Sequence, residues 1–95
     1  MKLFTNYSVH EKFIIEDRAS RLDALESIIR DWKKGRVELE PGQIVRMQER
    51  FIDLDISKFS VYGKYKWNKI LKRHHALIKR LGKMEEEKND RIKNN

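Results

Sequence analysis

The stretch KYKWNKILKRHHALIKRLGKM, residues 64–84, decides how the rest of the chain is read. On a helical wheel Trp67, Ile70, Leu71, His74, Leu77, Ile78 and Leu81 fall on one side, and Lys69, Lys72, Arg73, Lys79, Arg80 and Lys83 on the other. Tyr65 lies among the basic residues, and Tyr62 joins it if the helix continues back through Gly63. Lys64 and Lys66 mark the two boundaries. The apolar stripe is wide enough to pack on other helices. The stretch also holds eight Lys and Arg and no Asp or Glu, so the opposite side is cationic and unneutralised.

The remaining composition agrees with a helical chain. The 95 residues suit one domain. Hydrophobic and charged residues each make up 39%, as in long helices with solvated outer faces. With Gly at 4 and Pro at 1, there is little turn chemistry for a many-stranded β fold. No cysteine is present, which excludes a disulfide framework and a thiolate metal site. No stretch approaches the ~20 apolar residues of a membrane span. MKLFTNYSVHEKF, at the start, has no apolar run of signal-peptide length, so the expectation is a soluble, cytoplasmic protein without a membrane partner.

Two more helices precede the basic one. Ser8-Val9-His10-Glu11 is a capping box that starts the first. Ile15, Leu22 and Ile29 repeat every seven residues along it, flanked by Leu25 and Trp32. Lys33 and Lys34 suit its negative end, and Gly35 is a natural C′ residue, so the helix spans about Val9 to Lys34. Val37 and Leu39 alternate with polar residues, as in a short extended piece. Pro41 fits the first turn of a second helix that runs to about Leu54 and leans on the first as an αα-hairpin.

Asp53, Asp55, Ser57 and Ser60 are alternative N-caps for the third helix. Either this helix starts just after Gly63, or that glycine lets a neighbouring backbone come close. It should run to the low or mid-eighties, with Gly82 as an early stop. The expected fold is an all-α, compact three-helix domain over residues 1–84: a two-helix hairpin plus a long basic amphipathic helix. Residues 85–95 form a polar tail, frayed or disordered.

Charge placement carries the functional expectation. Residues 56–84 contain nine basic and no acidic side chains, whereas the rest of the chain carries 13 basic and 15 acidic. The first helix mixes signs (Glu11, Lys12, Glu16, Asp17, Arg18, Arg21), as helices do to gain i,i+4 support. The third helix forgoes that support, and like charges at Lys69–Arg73 and Lys79–Lys83 are mildly destabilising. A stretch that accepts this cost is expected to meet an anion. The leading reading is nucleic-acid backbone, contacted by Lys64, Tyr65, Lys66, Lys69, Lys72, Arg73, Lys79, Arg80 and Lys83. Exposed Tyr65 and Tyr62 would stack on unpaired bases, which favours single-stranded DNA or RNA.

The alternative is a small inhibitor or adaptor whose basic face docks on an acidic protein surface, or whose heptad stripes form a homo-oligomer. A membrane or calmodulin-like receptor would need the apolar side that the core requires. No catalytic constellation is present. His74 falls in the apolar stripe and His75 about a quarter-turn away, so the two do not chelate one metal. No zinc spacing or phosphate-cradling glycine loop occurs, and Glu85-Glu86-Glu87 is a solvated charge run. No enzyme activity, metal or cofactor is expected. Trp32 and Trp67 both lie on apolar stripes, as core residues do.

Residues 51–88 contain Tyr62-Gly63-Lys64-Tyr65, an aromatic–small–Lys–aromatic step, then the basic amphipathic helix, then acidic Glu85–Glu87. This segment resembles the helical core of phage recombination mediators of the UvsY type. The resemblance implies a small oligomer that binds single-stranded DNA and helps load a recombinase. Lys64, Lys66, Lys69, Lys72 and Arg73 would be its DNA contacts.

Overall fold

Ser8 opens the first helix as the capping box predicts. Its hydroxyl accepts the Glu11 amide at 3.1 Å, and the Glu11 carboxylate accepts the Ser8 amide at 2.7 Å. The computed structural model describes residues 7–94, with side chains through residue 87. The helix, α1, spans Val9–Lys33. It ends in a Schellman motif: Gly35 takes φ 75°, its amide reaches Trp32 O at 2.9 Å, and the Arg36 amide reaches Asp31 O at 2.9 Å. Only a residue without Cβ adopts that φ without strain. Val37 and Leu39 form no strand, and the described residues contain none.

The second helix, α2, spans Pro41–Ile52. It runs antiparallel to α1, and α1 secures its C-terminal end. Arg18 Nε donates to Phe51 O at 2.7 Å, and the Arg21 guanidinium lies 3.9 Å from the centre of the Phe51 ring. A cation at a helix C-terminus meets both an orphan carbonyl and the negative dipole end. Asp17 holds both arginines in place, at 2.5 Å from Arg18 and 2.9 Å from Arg21. The opposite end of α2 has no side-chain cap of its own, and the Glu85 carboxylate lies there instead, against Gly42.

The third helix, α3, spans Val61–Asn94 and is the spine on which both others pack. At 34 residues it is about 51 Å long and draws the molecule out to 60 × 22 × 17 Å. Contacts of Glu11 with Ser60, and of Asp23 and Glu26 with Arg73, show that α1 and α3 run in the same direction. The order is therefore up, down, up. Buried Trp67, Ile70, His74, Leu77, Leu81 and Met84 follow alternating steps of three and four residues. That is the spacing of a coiled-coil seam, and Ile15, Leu22, Leu25 and Ile29 answer it from α1. Trp67 sits at the centre, 2% exposed, with Phe59 edge-on at 6.3 Å. Trp32 packs at the margin of the same cluster.

One expectation about this helix needs correction. It does not stop in the low or mid-eighties, at Gly82 or soon after, but continues to Asn94. The reason lies beyond the glycine. Met84 is 3% exposed in the core and holds the next turn down, which outweighs the ~1 kcal/mol that a helical glycine costs. Side chains beyond Glu87, where fraying was expected, lie outside the described residues.

His74 is packed, as its place in the stripe predicts. It is 4% exposed, and its Nδ1 has no protein partner among the described residues. Burial pushes its pKa below the ordinary 6.5, and neighbouring His75 pushes the same way against the weaker pull of Glu49 on α2. Because the folded protein takes up its proton less readily than the unfolded chain, His74 favours folding fully above about pH 6.5. That contribution falls away as the pH drops. The melting temperature should therefore fall between pH 7 and pH 5, and fall less in His74→Leu. Parallel curves for the two proteins would assign the acid sensitivity elsewhere.

Candidate nucleic-acid interface

The basic helix is positioned at its start by a joint between two helix N-termini. Ser60 is the N-cap of α3, and its hydroxyl accepts the Gly63 amide at 3.0 Å. A complete capping box would place a glutamate at position 63 to bind the Ser60 amide. Here Glu11 of α1 does this from the side, with Oε1 accepting the Ser60 amide at 2.5 Å. One carboxylate thus caps α1 through Ser8 and α3 through Ser60, between the positive ends of two parallel dipoles. Glu11 is only 5% exposed, so burial opposes its ionisation, but the Ser8 and Ser60 amides outweigh that and hold its pKa below the usual range.

Gly63 is what admits the carboxylate. A Cβ there would overlap Glu11 Oε1 and come within 3.2 Å of Glu11 Cδ and of Ser60 Oγ. The helix starts before the glycine, at Val61, and the close neighbour is a side chain rather than backbone. Of the alternative caps, Asp55 instead closes a turn, accepting the Ser57 amide at 2.9 Å.

From this start the cationic side chains fan out along the outer face of α3. Lys64, Lys69, Lys72, Lys79, Arg80 and Lys83 are all exposed, and none forms an ion pair among the described residues. They span about 29 Å of helix. Lys66 is half-buried, with Nζ 5.5 Å from the Tyr62 ring.

Two predicted contacts have other duties. Arg73 is not a free cation: Nε donates to Glu26 at 3.2 Å and Nη2 to Asp23, both on α1. Its bonds to Glu26 and then Asp23 raise its pKa, so the charge is committed to the α1–α3 seam. Tyr62 is half-buried, with its ring edge-on to Tyr7 at 4.8 Å, and is not the free stacking surface expected. Tyr65 stays 53% exposed, but Lys69 Nζ lies 4.8 Å from its ring centre. The hydrogen bond from Lys69 lowers the Tyr65 pKa and raises that of Lys69, so this lysine remains fully charged near neutrality.

The elements missed by sequence reasoning all act between helices: Glu11 on Ser60, Arg18 on Phe51, and the carboxylates that occupy Arg73. The only local signal was a glycine in the first turn of a helix where a glutamate would serve. Among the described residues no group of three or more His, Cys, Asp or Glu could hold a metal ion. No helix among them is long and apolar enough to cross a membrane. No protein-family model matches this chain, and no curated protein or solved structure matches it at a significant level.

Proposed function

We propose that the protein binds nucleic-acid backbone through the outer face of α3 and performs no chemistry on it. The observation that carries this is the row of Lys64, Lys69, Lys72, Lys79, Arg80 and Lys83, exposed and unneutralised on one rigid helix. Lysine charges in that arrangement displace counterions from phosphates and read no sequence. A single-strand preference rests on Tyr65 alone, since Tyr62 is packed away. The likeness of residues 51–88 to recombination mediators points the same way.

The test is fluorescence anisotropy with labelled single- and double-stranded DNA and RNA across a salt series. If the six cations each meet a phosphate, log K should fall against log salt with a slope of about −4 on single strands and about −5 on duplex. Absence of binding at low salt would defeat the proposal.

The alternative, an inhibitor or adaptor docking on a protein, draws on a different feature. An apolar groove of 210 Å³ lies between α1 and α2, lined by Leu25, Ile28, Ile44, Met47 and Phe51, on the side of α1 away from Asp23 and Glu26. Ile28 and Met47 are exposed at its edges. A partner held there would depend on a few buried anchors and little on salt.

A further inference from the structure

We infer that the last turn of α1 is the second wall of the nucleic-acid site, with Arg30 and Lys33 contacting the same phosphodiester backbone as Arg80 and Lys83. This rests on the reading of α3 proposed above.

The argument is one of register. Helices α1 and α3 run side by side in the same direction, and Arg73 marks the level at which Asp23 and Glu26 face α3. Both seams keep a seven-residue repeat, so one heptad further the positions in register are Arg30 and Lys33 on α1 and Arg80 on α3. The sign of α1 changes between the two levels. At the first, two carboxylates meet one arginine and neutralise it. At the second, two cations meet a third, with Lys79 and Lys83 beside it.

Arg30, Lys33, Lys79, Arg80 and Lys83 are all exposed, and none has an ion-pair partner among the described residues. Packed helix axes lie about 8–10 Å apart, so the two groups of positive charge flank one seam. Their mutual repulsion is relieved when a polyanion lies along the seam, and charge complementarity therefore selects a phosphate chain as the occupant.

A structural reason for Arg30 and Lys33 would be to satisfy the C-terminal end of α1. The carbonyls there are already engaged: Arg30 O by the Lys34 amide, Asp31 O by Arg36 and Trp32 O by Gly35. The two side chains are not needed as caps. Conversely, Asp23 and Glu26 are spent on Arg73 and offer no cation to a phosphate chain at that level. Helix α1 therefore adds a wall only beside Arg80 and Lys83, ahead of Glu85–Glu87, while the phosphate chain continues along the outer face of α3 over Lys64, Lys69 and Lys72.

The experiment compares the whole protein with Arg30→Gln/Lys33→Gln and with Lys79→Gln/Lys83→Gln, using a labelled 20-nucleotide single strand and its duplex over a salt series. Circular dichroism confirms that each variant keeps its helicity. The expected result is a loss of about tenfold or more in affinity for both variants near 0.1 M salt, with a slope shallower by about 1.4–1.8 in each. A purely structural role for Arg30 and Lys33 would leave the slope unchanged. If Lys79→Gln/Lys83→Gln loses binding while Arg30→Gln/Lys33→Gln matches the wild type, the α1 wall is refuted and the α3 reading stands. If the wild type ignores both strands but binds poly-glutamate, both readings fall.

Discussion

Glu11→Ala is expected to destabilise the domain by about 2–4 kcal/mol, more than its single carboxylate suggests. The substitution removes a cap worth about 1 kcal/mol from each of two helices and leaves the partly buried Ser60 amide without a partner. The decisive companion is Gly63→Ala. Alanine favours a helix over glycine by about 1 kcal/mol, and an open site would gain that. Here the new methyl group would displace Glu11 from the Ser60 amide, so Gly63→Ala should lower stability by about 1–3 kcal/mol. Once Glu11 is alanine only Ser60 Oγ, 3.2 Å from the new methyl group, has to give by a few tenths of an ångström, and adding Gly63→Ala should raise stability. Urea denaturation of the four proteins gives this double-mutant cycle. A stabilising Gly63→Ala in the wild-type background would show that the joint is not formed. The pKa of Glu11 is held below its ordinary value, so its contribution is present above about pH 4.5 and is lost as the pH falls through the lowered value.

The second large effect concerns binding. Lys69→Glu/Lys72→Glu/Lys79→Glu should weaken nucleic-acid affinity by about a thousandfold or more near 0.1 M salt, at roughly tenfold per lost phosphate contact plus three new repulsions. All three side chains are exposed and lie outside the ion pairs, so the thermal unfolding curve should barely move. Arg73 gives the opposite pattern. Arg73→Ala breaks the link to Asp23 and Glu26 and should cost up to about 1 kcal/mol of stability, with binding little changed. Retained affinity in the triple variant would remove α3 as the contact surface.

The all-α architecture was legible because its signals are local. The Ser8 capping box, the glycine at position 35, the proline at position 41 and the apolar stripes each act within a few residues, and each lies where expected. Tertiary contacts decided the remainder. Arg73 looks like Lys72 on a wheel until α1 brings two carboxylates to it from about 50 residues away. Tyr62 looks like Tyr65 until Tyr7 covers it. Gly82 reads as a stop because the wheel does not reveal that Met84 is anchored in the core. The exposed lysines at 69, 72, 79 and 83 kept their predicted place because none of the described residues packs on that side of the helix.

The shared carboxylate also bears on how the protein opens. First-turn amides of a helix have no intrahelical acceptor, and the ends of helices open first. The start of α3 is tied differently. Its Ser60 amide is held by a residue 49 positions earlier in the chain, on a helix that must remain docked for the bond to exist. Hydrogen exchange at Ser60 therefore requires the start of α1 to separate from α3, whereas the Gly63 amide is held by the local Ser60 hydroxyl. The Ser60 amide should exchange as slowly as those around Trp67 and Leu77, which makes the beginning of α3 a gauge of global unfolding rather than of end fraying.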